Sequence, residues 1–159
     1  MTDRPAFTAN VAALQADHTR YAHPARAKPP TVTLCSIDVP RRMLLTLNQR
    51  QHYHEKARIT KALRGLGREA ERAGYLFAMP AAHCVVAVGW PDRRVRDSHN
   101  IYPTIKALID GIVTDGGLLP GDDDRYLLGP DLRPYLTGRP GVVALDFTFT
   151  QILPKAWAA

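Results

Sequence analysis

The chain is organised around the segment from Pro91 to Asp124, which reads PDRRVRDSHNIYPTIKALIDGIVTDGGLLPGDDD. It begins with a cluster of arginines, continues into an acidic and polar turn, and ends in three consecutive aspartates. Carboxylates brought together can bind a divalent cation, and nearby cations can bind phosphodiesters. This combination indicates phosphoryl-transfer chemistry on nucleic acid.

The middle of this stretch has the pattern of an amphipathic helix. Pro103 suits a first helical turn, where its missing N–H group costs no hydrogen bond. Apolar residues then recur at helical spacing, and Asp115, Gly116 and Gly117 end the helix. These apolar residues are Ile105, Leu108, Ile109 and Ile112. A strand before Asp97 and a return loop after the helix permit Asp97 and the aspartate run to lie at the same end of the unit.

The flanking segments predict strands. Residues 31–39 are mostly β-branched or apolar, and residues 82–90 are so continuously apolar that we expect burial on both faces. Residues 142–151 alternate between apolar and polar side chains, which is typical of a strand with one buried face. After the aspartates, residues 125–128 are a short strand candidate, and the Pro- and Gly-rich residues 129–141 are predicted to form a loop.

The longest predicted helix covers residues 55–73, although Gly65 and Gly67 weaken the helical pattern. One side of this helix is apolar and the other carries a row of cations. A charged helix face is normally just solvated, but such a row can also follow a phosphate backbone. The cations that we expect to contact DNA are Lys61, Arg64 and Arg68. The whole pattern predicts an α+β fold, close to α/β, in which two helices pack on a small mixed β-sheet of about four strands.

Length and composition predict one globular domain over residues 31–159, preceded by a flexible arm over residues 1–30. Twenty-one Lys and Arg against fifteen Asp and Glu give a net charge of +6 with a pI of about 9.6, which favours an acidic polymer as partner. No apolar run approaches the roughly 20 residues of a membrane span, so we expect no membrane partner and a cytoplasmic location. Cys35 and Cys84 are expected to be buried, reduced thiols.

Four features in this order resemble the RusA family of Holliday-junction resolvases, particularly its phage-type members. They are the arginine cluster, the turn Asp97-Ser-His-Asn100, the segment from Pro103 to Gly111, and the segment from Gly117 to Asp124. The upstream stretch from Leu47 to Tyr53, followed by a basic helix, is similar to the family's N-terminal motif. The resemblance covers roughly residues 31–151.

The resemblance implies a small homodimeric, Mg²⁺-dependent endonuclease that cuts four-way DNA junctions in recombination and repair, with three aspartates and a lysine at each site. Asp97 matches the first aspartate, Lys106 the lysine and Asp123 the third aspartate, with Asp122 or Asp124 as alternatives in a shifted register. These matches make Asp97, Lys106 and Asp123 the expected catalytic residues. The apolar strands and residues 76–90 offer candidate surface for the dimer.

The remaining site residues follow from charge. Lys106 can contact the scissile phosphate as a point charge, and the arginine cluster can bind flanking phosphates. The expected DNA-binding residues of this stretch are Arg93, Arg94, Arg96 and Asn100. Alternatively, Lys106 merely pairs with Asp110 at i,i+4, the aspartates form a solvated loop, and the arginines form a surface patch.

His99 stands where the family usually has its second aspartate. Imidazole suits softer divalent ions than Mg²⁺, so a site made of Asp97, His99 and one or more of the aspartates 122–124 should favour Mn²⁺. The alternative function is a junction- or duplex-binding protein of the same fold whose catalysis is impaired by His99. A small-molecule enzyme would need a cofactor or nucleophile motif, and the sequence contains none that we recognise.

Overall fold

The computed structural model describes residues 31–50, 52–74 and 76–153, so the predicted arm lies outside the described residues. The main elements are β1 (Val32–Pro40), α1 (Tyr53–Ala73), β2 (Ala82–Trp90), α2 (Tyr102–Asp110), β3 (Leu127–Leu136) and β4 (Val142–Gln151). A π-helical turn, Gly111–Asp115, extends α2, and short 3-10 helices cover Arg41–Met43 and Ser98–Ile101.

The four strands form one mixed sheet in the order β1-β4-β2-β3. Strand β4 is antiparallel to both β1 and β2, whereas β2 and β3 are parallel. Parallel neighbours need a crossover connection, and here it contains α2. The α+β fold with two helices and a small mixed sheet is therefore confirmed.

Burial that largely alternates along β1, β2 and β4 gives these strands one buried face, whereas β3 is buried only at Leu127. In β4, Leu145, Phe147 and Phe149 are completely buried, as the alternation predicted. They belong to one contiguous core with apolar residues of the other strands and of both helices. In β2 the expectation of burial on both faces was wrong, because His83 and Val85 on the second face are only partly buried.

Glycines let the two helices pack with their backbones almost in contact. A Cβ atom added at Gly67 of α1 would lie 2.3 Å from the Leu108 carbonyl oxygen, and one added at Gly111 would lie 2.2 Å from the Arg64 carbonyl oxygen. Both distances are far inside van der Waals contact, so each position requires a residue without a side chain. Gly67 thus serves helix packing, and the close approach brings Arg64 next to the end of α2.

The loop predicted for residues 129–141 was mostly wrong, because β3 continues from Leu127 to Leu136. Pro130 and Pro134 lie within this strand, and proline is normally a strand breaker. It is tolerated here because β3 lies at the edge of the described sheet, next to β2, so a missing N–H group can face away from the ladder. The connecting loop is reduced to residues 137–141.

The position of β2 also changes the expected dimer surface. Strand β2 lies inside the sheet and is hydrogen-bonded on both sides, so most of the predicted segment 76–90 cannot pair with a second chain. The sheet edges in the described part of the chain are β1 and β3. The homodimer itself stays a prediction.

Both cysteines are free and buried, as expected. Burial, together with the charge of Asp146, raises the pKa of Cys35 to about 12. Burial likewise raises the pKa of Cys84. Such thiols are poor nucleophiles, which confirms a packing role within the sheet. Within the described residues no helix combines the length and the apolar character needed to cross a bilayer.

Candidate functional site

Lys106 lies between two carboxylates. Its Nζ atom donates hydrogen bonds to Asp110, one helical turn further along α2, and to Asp122 in the loop that follows. Burial disfavours the charged form of Lys106, but the bonds to Asp110 and Asp122 outweigh that cost and raise its pKa. The same contact lowers the pKa of Asp122. The structure therefore brings predicted catalytic Lys106 together with Asp122 of the aspartate run.

Arg64 of α1 extends this contact into a network. Its Nε and Nη2 atoms donate to the two oxygens of Asp115 at 2.8 and 2.6 Å, and its Nη1 atom lies 3.8 Å from Asp110 Oδ2. The hydrogen bond from Arg64 lowers the pKa of Asp115. We call this group the Lys106 network; its members are Arg64, Lys106, Asp110, Asp115 and Asp122.

The three consecutive aspartates diverge. Asp122 joins the Lys106 network, whereas Asp123 accepts hydrogen bonds from Arg125 Nε at 2.8 Å and Nη2 at 2.9 Å. The Arg125 side chain and backbone N–H together lower the pKa of Asp123 to about 2. Asp124 is exposed. The three aspartates are adjacent in sequence, but their carboxylates do not form one group of metal ligands in the described structure.

Asp97 and His99 lie side by side at the start of a helical turn. Asp97 is the N-cap of the 3-10 helix Ser98–Ile101, and its Oδ1 atom accepts a hydrogen bond from the His99 backbone N–H at 2.9 Å. The same oxygen lies 3.3 Å from His99 Nδ1, and the two side chains are 74% and 75% exposed. Their proximity was expected from an extended chain, but capping of the turn produces it instead.

The described structure brings two of the predicted metal ligands together. Asp97 and His99 offer adjacent oxygen and nitrogen donors, and carboxylate oxygen is the donor that Mg²⁺ and Mn²⁺ accept. Across the three described segments, however, no group of three or more His, Cys, Asp or Glu side chains is close enough to hold an ion. Asp122 and Asp123 are instead paired with cations. The ligand set stays a prediction, because the described arrangement supplies only two of its members together.

The three arginines of the cluster differ in exposure, since Arg93 and Arg94 are exposed and Arg96 is largely buried. Arg96 binds both oxygens of Asp92, at 2.6 and 3.0 Å, and its guanidinium lies 5.0 Å from the centre of the Trp90 ring. Its side chain is only 17% exposed. Arg93 and Arg94 are exposed, although Arg94 Nε also lies 4.0 Å from Asp92 Oδ2. Arg93 and Arg94 can therefore reach a phosphate, whereas Arg96 mainly shapes the loop.

The upstream motif is connected to the Asp97 turn by backbone contacts. The Leu47 N–H group donates to the Asn100 carbonyl at 2.9 Å. Nearby, the buried Thr104 hydroxyl accepts from the Leu45 N–H group at 2.7 Å and donates to the Leu45 carbonyl at 2.9 Å. The two motifs that carried the family resemblance are therefore neighbours in space.

A basic groove runs along α1 next to the Lys106 network. It measures about 660 Å³. Its charged lining residues are Lys56, Lys61, Arg64, Arg68 and Asp115. All three cations of α1 that were predicted to bind DNA thus face one cavity, and Arg64 belongs to both the groove and the network. The sequence analysis did not predict Lys56 as part of the groove, nor the contacts of Arg64 with Asp110 and Asp115. Those contacts exist only because the two helices pack together, so no pattern along the chain indicates them.

A scan against protein-family models gives no match for this chain, and a search of the curated proteins also finds none.

Proposed function

We propose that the chain is a metal-dependent endodeoxyribonuclease that cuts four-way DNA junctions, acting in the cytoplasm as a homodimer in recombination and repair. One observation carries the proposal. A groove lined by four cations of α1 adjoins, through Arg64, an ammonium group held between two carboxylates. A cationic groove suits a phosphate backbone, and a positioned cation at its end suits the phosphate that reacts.

The cations have separate tasks in this proposal. Lys61 and Arg68 bind phosphates along the groove and contribute to affinity without reading sequence. Lys106 contacts the scissile phosphate or the leaving oxygen, where negative charge develops. Its two carboxylate partners keep the ammonium charged and oriented, which explains why Lys106 retains a raised pKa despite partial burial.

Asp97 and His99 are the proposed first ligands of Mg²⁺ or Mn²⁺, and an aspartate of the run would complete the set. When held there, such an ion would supply a more acidic bound water and positive charge opposite the transition state. Asp123 would have to leave Arg125, or Asp122 leave Lys106, to join Asp97. A phosphate bound to Lys106 would compete with Asp122 for that cation, so DNA binding there would favour the release of Asp122.

A second candidate function has its own supporting observation. The described residues contain no assembled group of three ligands, and two of the three aspartates already neutralise a cation. A protein that binds junctions without cutting them needs the groove but not the metal. The two functions therefore share the DNA partner and differ only in chemistry.

Nicking of a labelled four-way junction tests the proposal. We expect the purified chain with Mg²⁺ or Mn²⁺ to make paired nicks near the branch, and to leave a linear duplex of the same sequence intact. Tight junction binding without nicks in either metal would favour the second candidate. Equal, weak binding to both DNAs would reject both functions.

The groove is tested by comparing two cations of α1. Lys61→Ala should weaken junction binding about three- to tenfold and lower the slope of log affinity against log salt by about one, because one phosphate contact is lost. Arg72→Ala is the matched control, since Arg72 is exposed on the same helix but does not line the groove. Equal losses in the two variants would mean that only overall charge matters.

The dimer has a separate test. A closed two-fold dimer presents two equivalent sites to the near two-fold symmetry of a four-way junction. Light scattering under assay conditions should therefore give twice the monomer mass. A monomer that still makes paired nicks would overturn this part of the proposal.

A further inference from the structure

Three aromatic rings lie together at the start of α1. The ring centroids of Tyr53 and His54 are 3.7 Å apart, and those of His52 and His54 are 5.2 Å apart with their planes at 23°. We call this group the Tyr53 cluster; its members are His52, Tyr53 and His54. All three residues are exposed, and Tyr53 is 68% exposed. The rings therefore pack on one another while still offering aromatic surface to a ligand.

The Tyr53 cluster adjoins the basic groove. Tyr53 is itself one of the residues that line the groove, so an occupant of the groove can reach its exposed ring. The lining continues along one face of α1 as far as Arg68. At about 1.5 Å per residue, the face from Tyr53 to Arg68 is about 22 Å long. That is the axial length of about six nucleotides in one strand of a DNA duplex.

The cations and the rings of this surface suit different parts of a nucleic acid. Cations in the groove suit phosphates and do not distinguish one base from another. An aromatic ring suits the flat face of a nucleobase, and every base has such a face. A base inside a duplex is stacked between its neighbours and cannot offer its face to a protein ring. The Tyr53 cluster therefore fits a base that is unpaired.

We propose that the Tyr53 cluster binds an unpaired base of the DNA whose duplex arm lies along the basic groove. The base stacks on the ring of Tyr53, against which His54 packs from within the cluster. This inference rests on the proposed function and deepens it by naming a feature of the DNA that the protein recognises. The chain should therefore prefer a duplex that continues into unpaired nucleotides.

The test compares two DNA probes that carry the same number of phosphates. One probe is a duplex with a tail of three unpaired deoxyadenosines, and in the other the tail consists of three abasic residues. Fluorescence anisotropy would measure the affinity of the full chain for each probe without divalent metal. We expect the tail with bases to bind about tenfold more tightly, because only that tail can stack.

Variants of Tyr53 show whether the ring causes this ratio of affinities. Tyr53→Ala should reduce the ratio to about one, whereas Tyr53→Phe should keep it, because phenylalanine retains an aromatic ring. Tyr53→Leu replaces the alanine variant if urea unfolding shows that the latter does not fold. Phe77→Ala is the control, since Phe77 is an aromatic residue that is 74% exposed but does not line the groove.

Several results would contradict the inference. A wild-type ratio near one would mean that the protein does not bind the bases of the tail. An unchanged ratio in a folded Tyr53→Ala or Tyr53→Leu variant would mean that the bases bind elsewhere. A ratio near one in Tyr53→Phe would mean that the tyrosine hydroxyl, and not the ring, makes the contact.

Three further outcomes separate this inference from the proposed function. No nicking of junctions with the ratio intact would reject the nuclease and leave the base site standing. Nicking with a ratio near one would leave the nuclease standing and overturn the base site. No binding to either probe would overturn both. If free deoxyadenosine monophosphate at the probe concentration abolishes the ratio, the site takes a free nucleotide and the inference is overturned.

Discussion

The Lys106 network and the Asp97 turn (residues 97–101) belong to the same predicted motif, yet their polar groups differ in how they are paired. In the network each carboxylate contacts a cation, and both cations contact carboxylates. In the turn Asp97 is largely exposed, and within the described residues the buried Oδ1 atom of Asn100 has no hydrogen-bond partner. The carboxylates of the network are thus paired with cations, whereas Asp97 accepts a backbone hydrogen bond from His99 and keeps most of its side chain exposed.

The pairing of a carboxylate affects how readily it can bind a metal ion. A paired carboxylate must lose its partner before it can bind an ion, and that loss opposes binding. An exposed carboxylate without a cation partner loses no ion pair when it binds a metal ion. Asp97 and its neighbours are therefore the more direct candidates for ligands and substrate, and the Lys106 network is the better candidate for holding a cation in position.

Replacing Asp97 should have the largest effect. We expect Asp97→Asn to reduce nicking about 100-fold or more, since a ligand carboxylate is lost, while junction binding stays within about threefold. A gel assay of nicking and binding with the same junction measures both. Asp131→Asn is a closely matched control, because Asp131 is also a partly exposed aspartate, 2.9 Å from the Nε2 atom of His83. Near-wild-type nicking by Asp97→Asn would remove Asp97 from the site.

Lys106→Ala should come next. We expect nicking to slow about tenfold, with a smaller loss of binding, because the proposed contact strengthens as charge develops on the phosphate. Single-turnover rates and binding titrations separate the two quantities. Arg58→Ala is the control, since Arg58 is a cation of α1 that pairs with Glu55 at 2.7 Å and lies outside both the network and the groove lining. Equal losses of rate and affinity would reduce Lys106 to a binding residue.

His99 allows the metal preference to be tested. If His99 is a ligand, wild-type protein should prefer Mn²⁺, and His99→Asp should raise Mg²⁺-dependent nicking several-fold while removing that preference. Nicking rates at matched concentrations of the two metals give the ratio. His99→Asn serves as the control, because it is polar but supplies no carboxylate. An unchanged metal profile in His99→Asp would exclude His99 as a ligand.

The smallest effect concerns stability and pH. The lowered pKa of Asp122 means that its contact with Lys106 contributes stability above the ordinary aspartate pKa of about 3.9 and loses it as pH falls through the lowered value. Both side chains are about 40% exposed, so the contribution should be at most about 1 kcal/mol. Asp122→Asn should therefore cost little at pH 7 and should reduce the loss of stability on acidification.

Urea unfolding at pH 7 and pH 3 measures this effect. Asp124→Asn provides the comparison, because Asp124 is the exposed neighbour and makes no ion pair within the described residues. Identical pH dependence of unfolding in Asp122→Asn and the wild type would show that the Lys106–Asp122 contact contributes nothing in solution.

Most elements could be predicted from sequence because their signals are local. The bounds of β2 and β4 agree with the predicted 82–90 and 142–151, and α1 begins only two residues before the predicted start. Most of β3 was missed, since the short strand predicted over residues 125–128 overlaps only its start; its prolines resemble a loop, and their tolerance depends on the strand's position at an edge. Gly67 weakened the predicted helix for a similar reason, since its value lies in a contact with another helix.

Within the candidate site, too, some contacts follow from spacing along the chain and others depend on packing. From spacing along the chain, the Lys106–Asp110 pair was one open alternative, and Asp97 and His99 were expected to lie close together; the structure contains both contacts. The other pairings depend on the tertiary structure. Asp122 contacts Lys106, Arg64 contacts Asp115, and Asp123 pairs with Arg125. The physical reason is that helix packing and loop geometry select among several charged partners, and spacing along the chain does not distinguish them.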